Sequence, residues 1–454
     1  MISRLVTILM LTAFLQNDAH NQLARDIYKE LIEINTTDSV GNTTQAAEAM
    51  AARLIAAGLP EADIQVFGPN SRKGNLIARY RGTNHRRPLL LLAHLDVVEA
   101  PREDWSVDPF KFTEKDGYFY GRGTTDDKAM AAVWVTTFIR FLREGYKPDR
   151  DLVLALTADE ESGDYNGVDW LLKNHRDLID AEFALNEGGE SLTKDGKYLL
   201  NAVQPTEKVY QSFRLEVRNP GGHSSRPVKD NAIYHLAEGL TRLLNYQFPV
   251  RLNEVTTGYF QRMALLETGQ LASDMKAVSR NPGDKAVVTR LSAMPYENAL
   301  LRTTCVATRL EGGHADNALP QVARAVVNCR LLPGDSPVEV RATLIRVFDD
   351  PKISVTSIGD AKPSGPSPLR SDIVGPIEQI TNQMWPGVPV VPVMSTGATD
   401  GLYLRNAGIA TYGVSGFFQD IHDTRAHGRD ERLGVKEFYE GREFLYRLVK
   451  ALSS

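Results

Sequence analysis

Apolar residues between Asn21 and Gly58 recur at helical spacing, with an alanine-rich second half that stops before Pro60, and they predict helix across this stretch. Two strand-like runs follow, Ile64 to Phe67 and Asn75 to Tyr80, separated by a polar loop. Continuous apolar runs then alternate with helical periods: strand Pro88 to Ala93, helix Ala129 to Leu142, strand Leu152 to Thr157, helix Val168 to Asn174, strand Ala181 to Leu185. Uninterrupted apolar strands between helices predict an α/β sheet covered on both faces.

After Gln204-Pro205 the pattern changes. Tyr210 to Arg218 alternates like a strand with one wet face, and Ala232 to Leu244 is helical. Strands near Thr303 and Val322, a helix near Val338 to Phe348 and a strand at Ile353 to Ser357 complete a β-α-β-β-α-β order, with extra helical material between about Val250 and Asn298. Lys362-Pro363-Ser364-Gly365-Pro366-Ser367-Pro368 reads as a linker, and the chain ends in a helix from Val435 to Leu452. The expected organisation is one domain from residues 21–205 and 363–454, interrupted by a smaller two-layer domain over 206–362.

Composition narrows the class without choosing a chemistry. The 454 residues are 42% hydrophobic and 24% charged, as in an ordinary globular protein with room for real cores. Lys and Arg number 52 against 57 Asp and Glu, so no basic excess is there to hold a phosphate backbone, and nucleic acid is not an expected partner. Only Cys305 and Cys329 occur, which excludes a multi-cysteine zinc site and leaves any metal to His and carboxylate. Both lie in strand-like runs; neighbouring strands would put them within disulfide reach, and burial as two small hydrophobes fits equally well. At the N-terminus Arg4 precedes the apolar run Leu5 to Leu15, which has the pattern of an export signal and is too short to span a bilayer. No small-x-small cleavage site stands out in Gln16 to His20, so a frayed first turn of the next helix competes with export to the periplasm or the medium.

Several chemistries lack their motifs: there is no Gly-x-Ser-x-Gly elbow, no P-loop and no His-Glu-x-x-His helix, and Gly121-Arg122-Gly123 lacks the third glycine of a dinucleotide fingerprint. Acidic and imidazole groups instead sit where apolar strands end. His94 and Asp96 are two residues apart and share one face of an extended chain, where Asp96 could hold the His94 ring in one tautomer. Asp126 and Asp127 close a glycine-rich turn at a helix start, a place where acidic residues also serve capping. Asp159-Glu160-Glu161 and Glu187-Gly188-Gly189 close two further strands. Singly, each of these is an ordinary surface feature. Together they belong to one crevice, because the carboxyl ends of neighbouring strands in an open α/β sheet converge. Carboxylates packed that closely repel unless they take up protons or bind cations. Two divalent ions would balance Asp126, Glu161, Glu187 and a bridging hydroxide, leaving Glu160 over as a base.

The runs His94-Leu95-Asp96, Gly121-Arg122-Gly123-Thr124-Thr125-Asp126-Asp127-Lys128, Asp159-Glu160-Glu161, Asn186-Glu187-Gly188-Gly189 and His427-Gly428-Arg429-Asp430-Glu431-Arg432 resemble, in order, the motifs of the M20 family of metallopeptidases and amidohydrolases. That family includes glutamate carboxypeptidase, Gly-Xaa carboxypeptidase, aminoacylase and carnosinase-like dipeptidases. The resemblance covers nearly the whole chain after the N-terminal segment. It implies an α/β, mixed-sheet metallohydrolase domain with an inserted α+β, ferredoxin-like lid through which two copies could form a homodimer. It also implies that Asp126 bridges two ions, that His94 and Glu187 complete one site, and that Glu161 and His427 complete the other, with a cis peptide after Asp126. His422 competes with His427 for the last role, and the His-x-x-Asp/Asn-Glu context favours His427. Glu160 would be the general base, with Asp96 behind His94.

In the lid, Asn219-Pro220-Gly221-Gly222-His223-Ser224-Ser225 resembles a loop whose His stabilises the oxyanion, and Asn317-Ala318-Leu319-Pro320 a substrate-binding segment. Gly397-Ala398-Thr399-Asp400 resembles the family's Gly-Gly-Thr-Asp loop, with Ala398 a departure and Thr399 a substrate contact. The implied reaction is hydrolysis of an amide bond in a small peptide, of carboxypeptidase or dipeptidase type, with deacylation of N-acyl amino acids as the alternative. Imidazole and carboxylate ligands suit Zn2+, two per chain, and also accept Co2+ or Mn2+. A substrate carboxylate would want an arginine, and Arg226, Arg309 and Arg330 are all candidates.

Overall fold

The continuous helix predicted between Asn21 and Gly58 is in fact two, residues 19–33 and Thr43–Ala56. The break falls at Asn35-Thr36-Thr37-Asp38, residues whose short polar side chains compete with helical hydrogen bonding. Thr36 Oγ1 donates to the Leu95 carbonyl at 2.7 Å and Thr37 bridges Val97, so the break is tied to the segment just after His94. Asn42 then caps the second helix, its side chain accepting from the Gln45 N–H. These details come from a computed structural model that describes residues 19–454. The apolar run Leu5 to Leu15, and with it nearly all of the expected export signal, lies outside the described residues.

The chain forms two compact units. Of the described residues, the first holds 19–205, Ser367–Pro392 and Thr399–Ser454; the second holds Thr206–Pro366 with Val393–Ala398. The segment 393–398 was expected with the first unit. It joins the second, where Ser395 O accepts from Lys208 N at 2.9 Å.

A ten-stranded mixed sheet organises the first unit. At its centre Arg150–Thr157, Arg86–His94 and Phe183–Asn186 lie side by side and parallel, with Ala410–Gly413 parallel to the last of them. Toward one edge Asn75–Tyr80 and Ile64–Phe67 continue antiparallel. The helix Lys128–Glu144 buries nearly its whole length, including Trp134, Phe138 and Phe141. Each large apolar side chain removed from water in this way contributes about 1.5–3 kcal/mol. That helix covers Leu89, Leu91 and Ala93 on one face of the strand, while Val168 and Leu171 pack with Leu90 and Leu92 on the other, which explains the unbroken apolar run Leu89 to Ala93.

In the second unit the sheet order is Thr304–Gly312, Val322–Leu331, Val209–Arg218, Ser354–Ile358, every neighbouring pair antiparallel. Alternate residues of Val322–Leu331 are buried, and the helices Ala232–Leu244 and Pro337–Phe348 share a core with Phe213, Leu215 and Val327. The helical insertion consists of Glu254–Leu266, Gly269–Arg280, Lys285–Ser292 and Pro295–Leu301. Cys305 and Cys329 face each other across two antiparallel strands and form a disulfide, Cα–Cα 4.0 Å. Among the described residues no helix is long and apolar enough to cross a membrane.

Candidate metal centre

The parallel register puts His94 opposite Thr157, so the carboxyl ends of three strands open at one edge of the sheet. His94 ends its own strand; Glu160 and Glu161 lie just past Thr157, and Glu187 just past Asn186. Asp126 comes from the turn before Lys128–Glu144, across a cis Asp126–Asp127 peptide. His427 comes from the C-terminal loop, in the left-handed region at φ 63°, a backbone state that persists where surrounding contacts over-determine it.

Asp126 lies between the two histidines. Its Oδ1 is 2.9 Å from His94 Nε2 and its Oδ2 is 3.0 Å from His427 Nε2. Glu187 Oε2 is 3.7 Å from His94 Nε2, and Glu161 Oε2 is 2.9 Å from His427 Nε2. Asp126 is common to both halves. Ligand atoms of His94, Asp126 and Glu161 lie within 4.8 Å of one another, as do those of His94, Glu160 and Glu187. His422, the rival of His427, is in the turn after Phe418–Asp420, where its N–H caps Asp420.

The electrostatics are those of a site built for more positive charge than the protein supplies. Burial pushes Glu187 up to about 7. It also raises Glu160 and Asp127 well above the carboxylate range, with the Glu187 charge adding to both. His427 is pushed up to about 10 by its hydrogen bonds to Asp126 and Glu161. Burial disfavours the His94 cation, and Glu187 and Asp126 outweigh it. The imidazoles thus stand in as cations. Glu161 Oε1, Glu187 Oε1 and Asp127 Oδ2 remain buried with no hydrogen-bond partner. Orphaned carboxylate oxygens around a shared Asp, with two imidazoles, are a donor set that fits divalent ions.

A surrounding layer orients these groups. His94 Nδ1 donates to the Asp96 backbone carbonyl at 2.9 Å, so that once Nε2 gives up its proton its lone pair is the one available to a metal. The Asp96 carboxylate, expected to steady that ring, is 3.6 Å from it. It accepts instead from the Glu160 and Glu161 backbone N–H groups, at 3.1 and 3.0 Å, and holds their turn. Asp159 is paired with Lys73, which also reaches Asp38. Asp400 is buried, accepts from Asn166 and Thr157, and is pushed up to about 7 by burial. Its neighbour Thr399 accepts from Gly401 N.

Sequence reasoning gave no role to Glu431, which is fully buried. One of its oxygens accepts from Arg122 Nη1 at 2.7 Å and Gly123 N at 3.2 Å; the other accepts from Thr125 N, Thr125 Oγ1 and Asp126 N at 2.7–3.3 Å. Arg122 Nη2 reaches the His427 carbonyl at 3.3 Å. Four residues after His427, Glu431 therefore ties the Asp126 turn to the His427 loop. The available signal was its place in the last motif.

The residues His223, Asn317 and the three arginines belong to the second unit. Gly222-His223 pairs with Ala318-Leu319 as a short ribbon, and Ser224 N donates to Asn317 O, so the segments of His223 and Asn317 meet. His223 Nδ1 accepts from Ser225 N at 3.1 Å, which places the ring proton on Nε2. Of the three arginines, Arg226 turns back onto the His223 carbonyl through its N–H; Arg309 pairs with Glu311; Arg330 lies over the Tyr210 ring.

Residues 90–451 match peptidase family M20/M25/M40, and the chain belongs to that family. It is 29% identical over 379 residues to human N-fatty-acyl-amino acid synthase/hydrolase PM20D1, spanning 80% of this chain and 74% of that one. It is 30% identical over 389 residues to a probable carboxypeptidase S-like 2 of Dictyostelium discoideum, spanning 83% and 74%. The fold is that of an M20 family metallo-carboxypeptidase from Sulfolobus solfataricus, with TM-score 0.70, 18% identity, and 95% and 99% of the two chains covered. This is a metal-dependent hydrolase of the peptidase and amidohydrolase type, and the cluster around Asp126 is its candidate metal site.

Proposed function

We propose that this chain uses two divalent ions, zinc in the first instance, to hydrolyse the amide bond joining an acyl or peptidyl group to a C-terminal amino acid. The observation that carries the reading is the shared Asp126, with a histidine and a glutamate on each side of it. His94 and Glu187 would hold one ion, His427 and Glu161 the other, and Asp126 both. Bound there, the ions supply Lewis acidity toward the carbonyl and a water acidic enough to lose its proton near neutral pH. Glu160 takes that proton and returns it to the leaving amine; its raised proton affinity suits a shuttle more than a permanent anion. The Asp96 carboxylate fixes the turn that aims it. The oxyanion role that family resemblance implies for His223 needs an Nε2–H, and Ser225 enforces that tautomer.

Small peptides are the first expected substrates. The likeness to an N-fatty-acyl-amino acid hydrolase favours N-acyl amino acids as the second reading. Both present the same free amino acid on the leaving side. The disulfide suits an oxidising compartment, in keeping with export.

The test is metal content per chain together with turnover of dipeptides and N-acyl amino acids, before and after chelation. Two ions per chain and metal-dependent cleavage are expected, with Glu160→Ala losing turnover and keeping its ions. Unchanged turnover in that variant refutes the base; absence of bound metal refutes the mechanism.

A further inference from the structure

The turn that carries Glu160 and Glu161 begins at Asp159, whose φ of 57° is in the left-handed region. A residue with a side chain keeps that state where its surroundings over-determine it. At Asp159 they act through the carboxylate and the carbonyl. Oδ1 accepts from Lys73 Nζ, Oδ2 from Tyr165 N at 3.3 Å, and the carbonyl from Asn166 Nδ2 at 3.2 Å. The Asp159 side chain has no exposure, and Gly163 lies so close that a Cβ there would stand 2.3 Å from Oδ2. A carboxylate enclosed in this way needs a counter-charge in contact with it. Lys73, itself only 8% exposed, is that charge.

Lys73 is also well anchored. Its loop, between the strands Ile64–Phe67 and Asn75–Tyr80, is tied to the break between the first two helices: Arg72 O accepts from Thr43 N at 3.0 Å, Arg72 Nε donates to Gly41 O at 2.9 Å, and Gly74 N donates to Thr44 Oγ1 at 2.7 Å. The Lys73 ammonium donates in addition to Asp38 Oδ1 at 2.7 Å. Two residues on, Asn75 Oδ1 accepts from Ala158 N at 2.9 Å, so one short segment holds the turn at two consecutive residues. The Asp96 carboxylate holds its other end, at the Glu160 and Glu161 N–H groups. We propose that Lys73 is a positioning residue for the hydrolysis: through Asp159 it fixes the turn that aims Glu160 and Glu161 into the metal site. The proposal rests on the roles given above to those two glutamates and adds the residue that sets their backbone.

The test compares Lys73→Met, Lys73→Arg, Asp38→Asn and the double variant Lys73→Met/Asp159→Asn in the zinc-loaded full chain, well below the melting temperature of each. Zinc affinity is measured by chelator competition, and kcat and KM on N-acetyl-L-methionine and glycyl-L-leucine. Lys73→Met should lower kcat about 10–100-fold with KM nearly unchanged, and should weaken one of the two zinc ions by a similar factor, the usual effect of loosening a supporting group. Lys73→Arg, which keeps the charge, should recover much of both. Asp38→Asn, which frees only the exposed partner, should cost less than about fivefold. The double variant strands no charge, so its melting temperature should return most of the way while kcat and zinc affinity stay low. Unchanged kcat and zinc affinity in Lys73→Met overturn the proposal. So does a double variant in which both recover along with melting, because the pair would then serve stability alone. If Lys73→Met fails to fold, the double variant decides. Failure of the unmutated chain to cleave either probe counts against the hydrolytic reading, and zinc affinity then decides the role of Lys73.

Discussion

Glu431→Gln is the most informative single change, because it alters charge and donor count at constant shape. The carboxylate is wholly buried and answers Arg122 and Gly123 through one oxygen, Thr125 and Asp126 through the other. Glutamine keeps one acceptor and turns an NH2 group toward donors on the remaining side. In either orientation the neutral amide strips the buried Arg122 guanidinium of its counter-charge, which costs about 3–5 kcal/mol. An NH2 group turned toward Thr125 additionally leaves the backbone N–H groups of Thr125 and Asp126 without an acceptor, at about 1–3 kcal/mol each. At about 2–4 °C per kcal/mol for large domains, the first unit should melt on the order of 10 °C lower. Metal affinity should fall too, because the weakened contacts are those that join the Asp126 turn to the His427 loop. Calorimetry with and without added zinc, and chelator competition, measure the two effects. A variant with unchanged melting and unchanged metal affinity would refute the coupling. Adding Arg122→Met should recover part of the stability, since removing both charges costs less than stranding one.

Asp96→Asn should lower activity or metal affinity by about 10–100-fold, the usual effect of loosening a supporting group, because one of the Glu160 and Glu161 N–H groups loses its acceptor; wild-type kinetics would show that the turn holds itself. Removing the Cys305–Cys329 bridge as Cys329→Ala should destabilise the second unit by about 3–4 kcal/mol, from a sequence separation of 24, and leave the first unit's melting in place. His235 lies between Asp350 and Asp230, with Lys352 on Asp230 and Arg242 near Asp350, and its hydrogen bond to Asp350 leads the cause of its raised pKa. A pKa raised on folding gives stability that is complete below 6.5 and lost as pH climbs through the folded value. The second unit should therefore melt progressively lower above pH 6.5, and His235→Gln should flatten that slope; a parallel slope in the variant would assign it to other groups.

The strands of the first unit were legible because both faces of each are covered, so their sequences are apolar without interruption, and their charged ends stood out. Leu89 to Ala93 followed by His94, and Leu152 to Thr157 followed by Glu160 and Glu161, mark where the crevice opens. The break at Thr36 and Thr37 was not legible. Apolar periodicity continues on either side and masks the polar run Asn35 to Asp38, and the tie to Leu95 that anchors the break is a long-range contact that local spacing does not record. The segment 393–398 was misplaced for the same reason: its attachment depends on Lys208.

Within the metal centre the division between legible and hidden follows chemistry. Groups that would bind metal are conspicuous because several of them end neighbouring apolar strands, and carboxylates gathered that closely repel unless protons or cations answer them. Groups that orient them are not, because a hydrogen bond to backbone leaves no mark on the partner's identity. Asp96 was expected to act on the His94 ring; its oxygens went to the Glu160–Glu161 backbone, while the Asp96 carbonyl, present at every residue, took the ring N–H. Glu431 serves the Asp126 turn in the same way, across more than three hundred residues of sequence. Spacing can therefore nominate both halves of the metal site. Their mutual position depends on Arg122 and Glu431, whose contacts appear only once the chain has closed on itself.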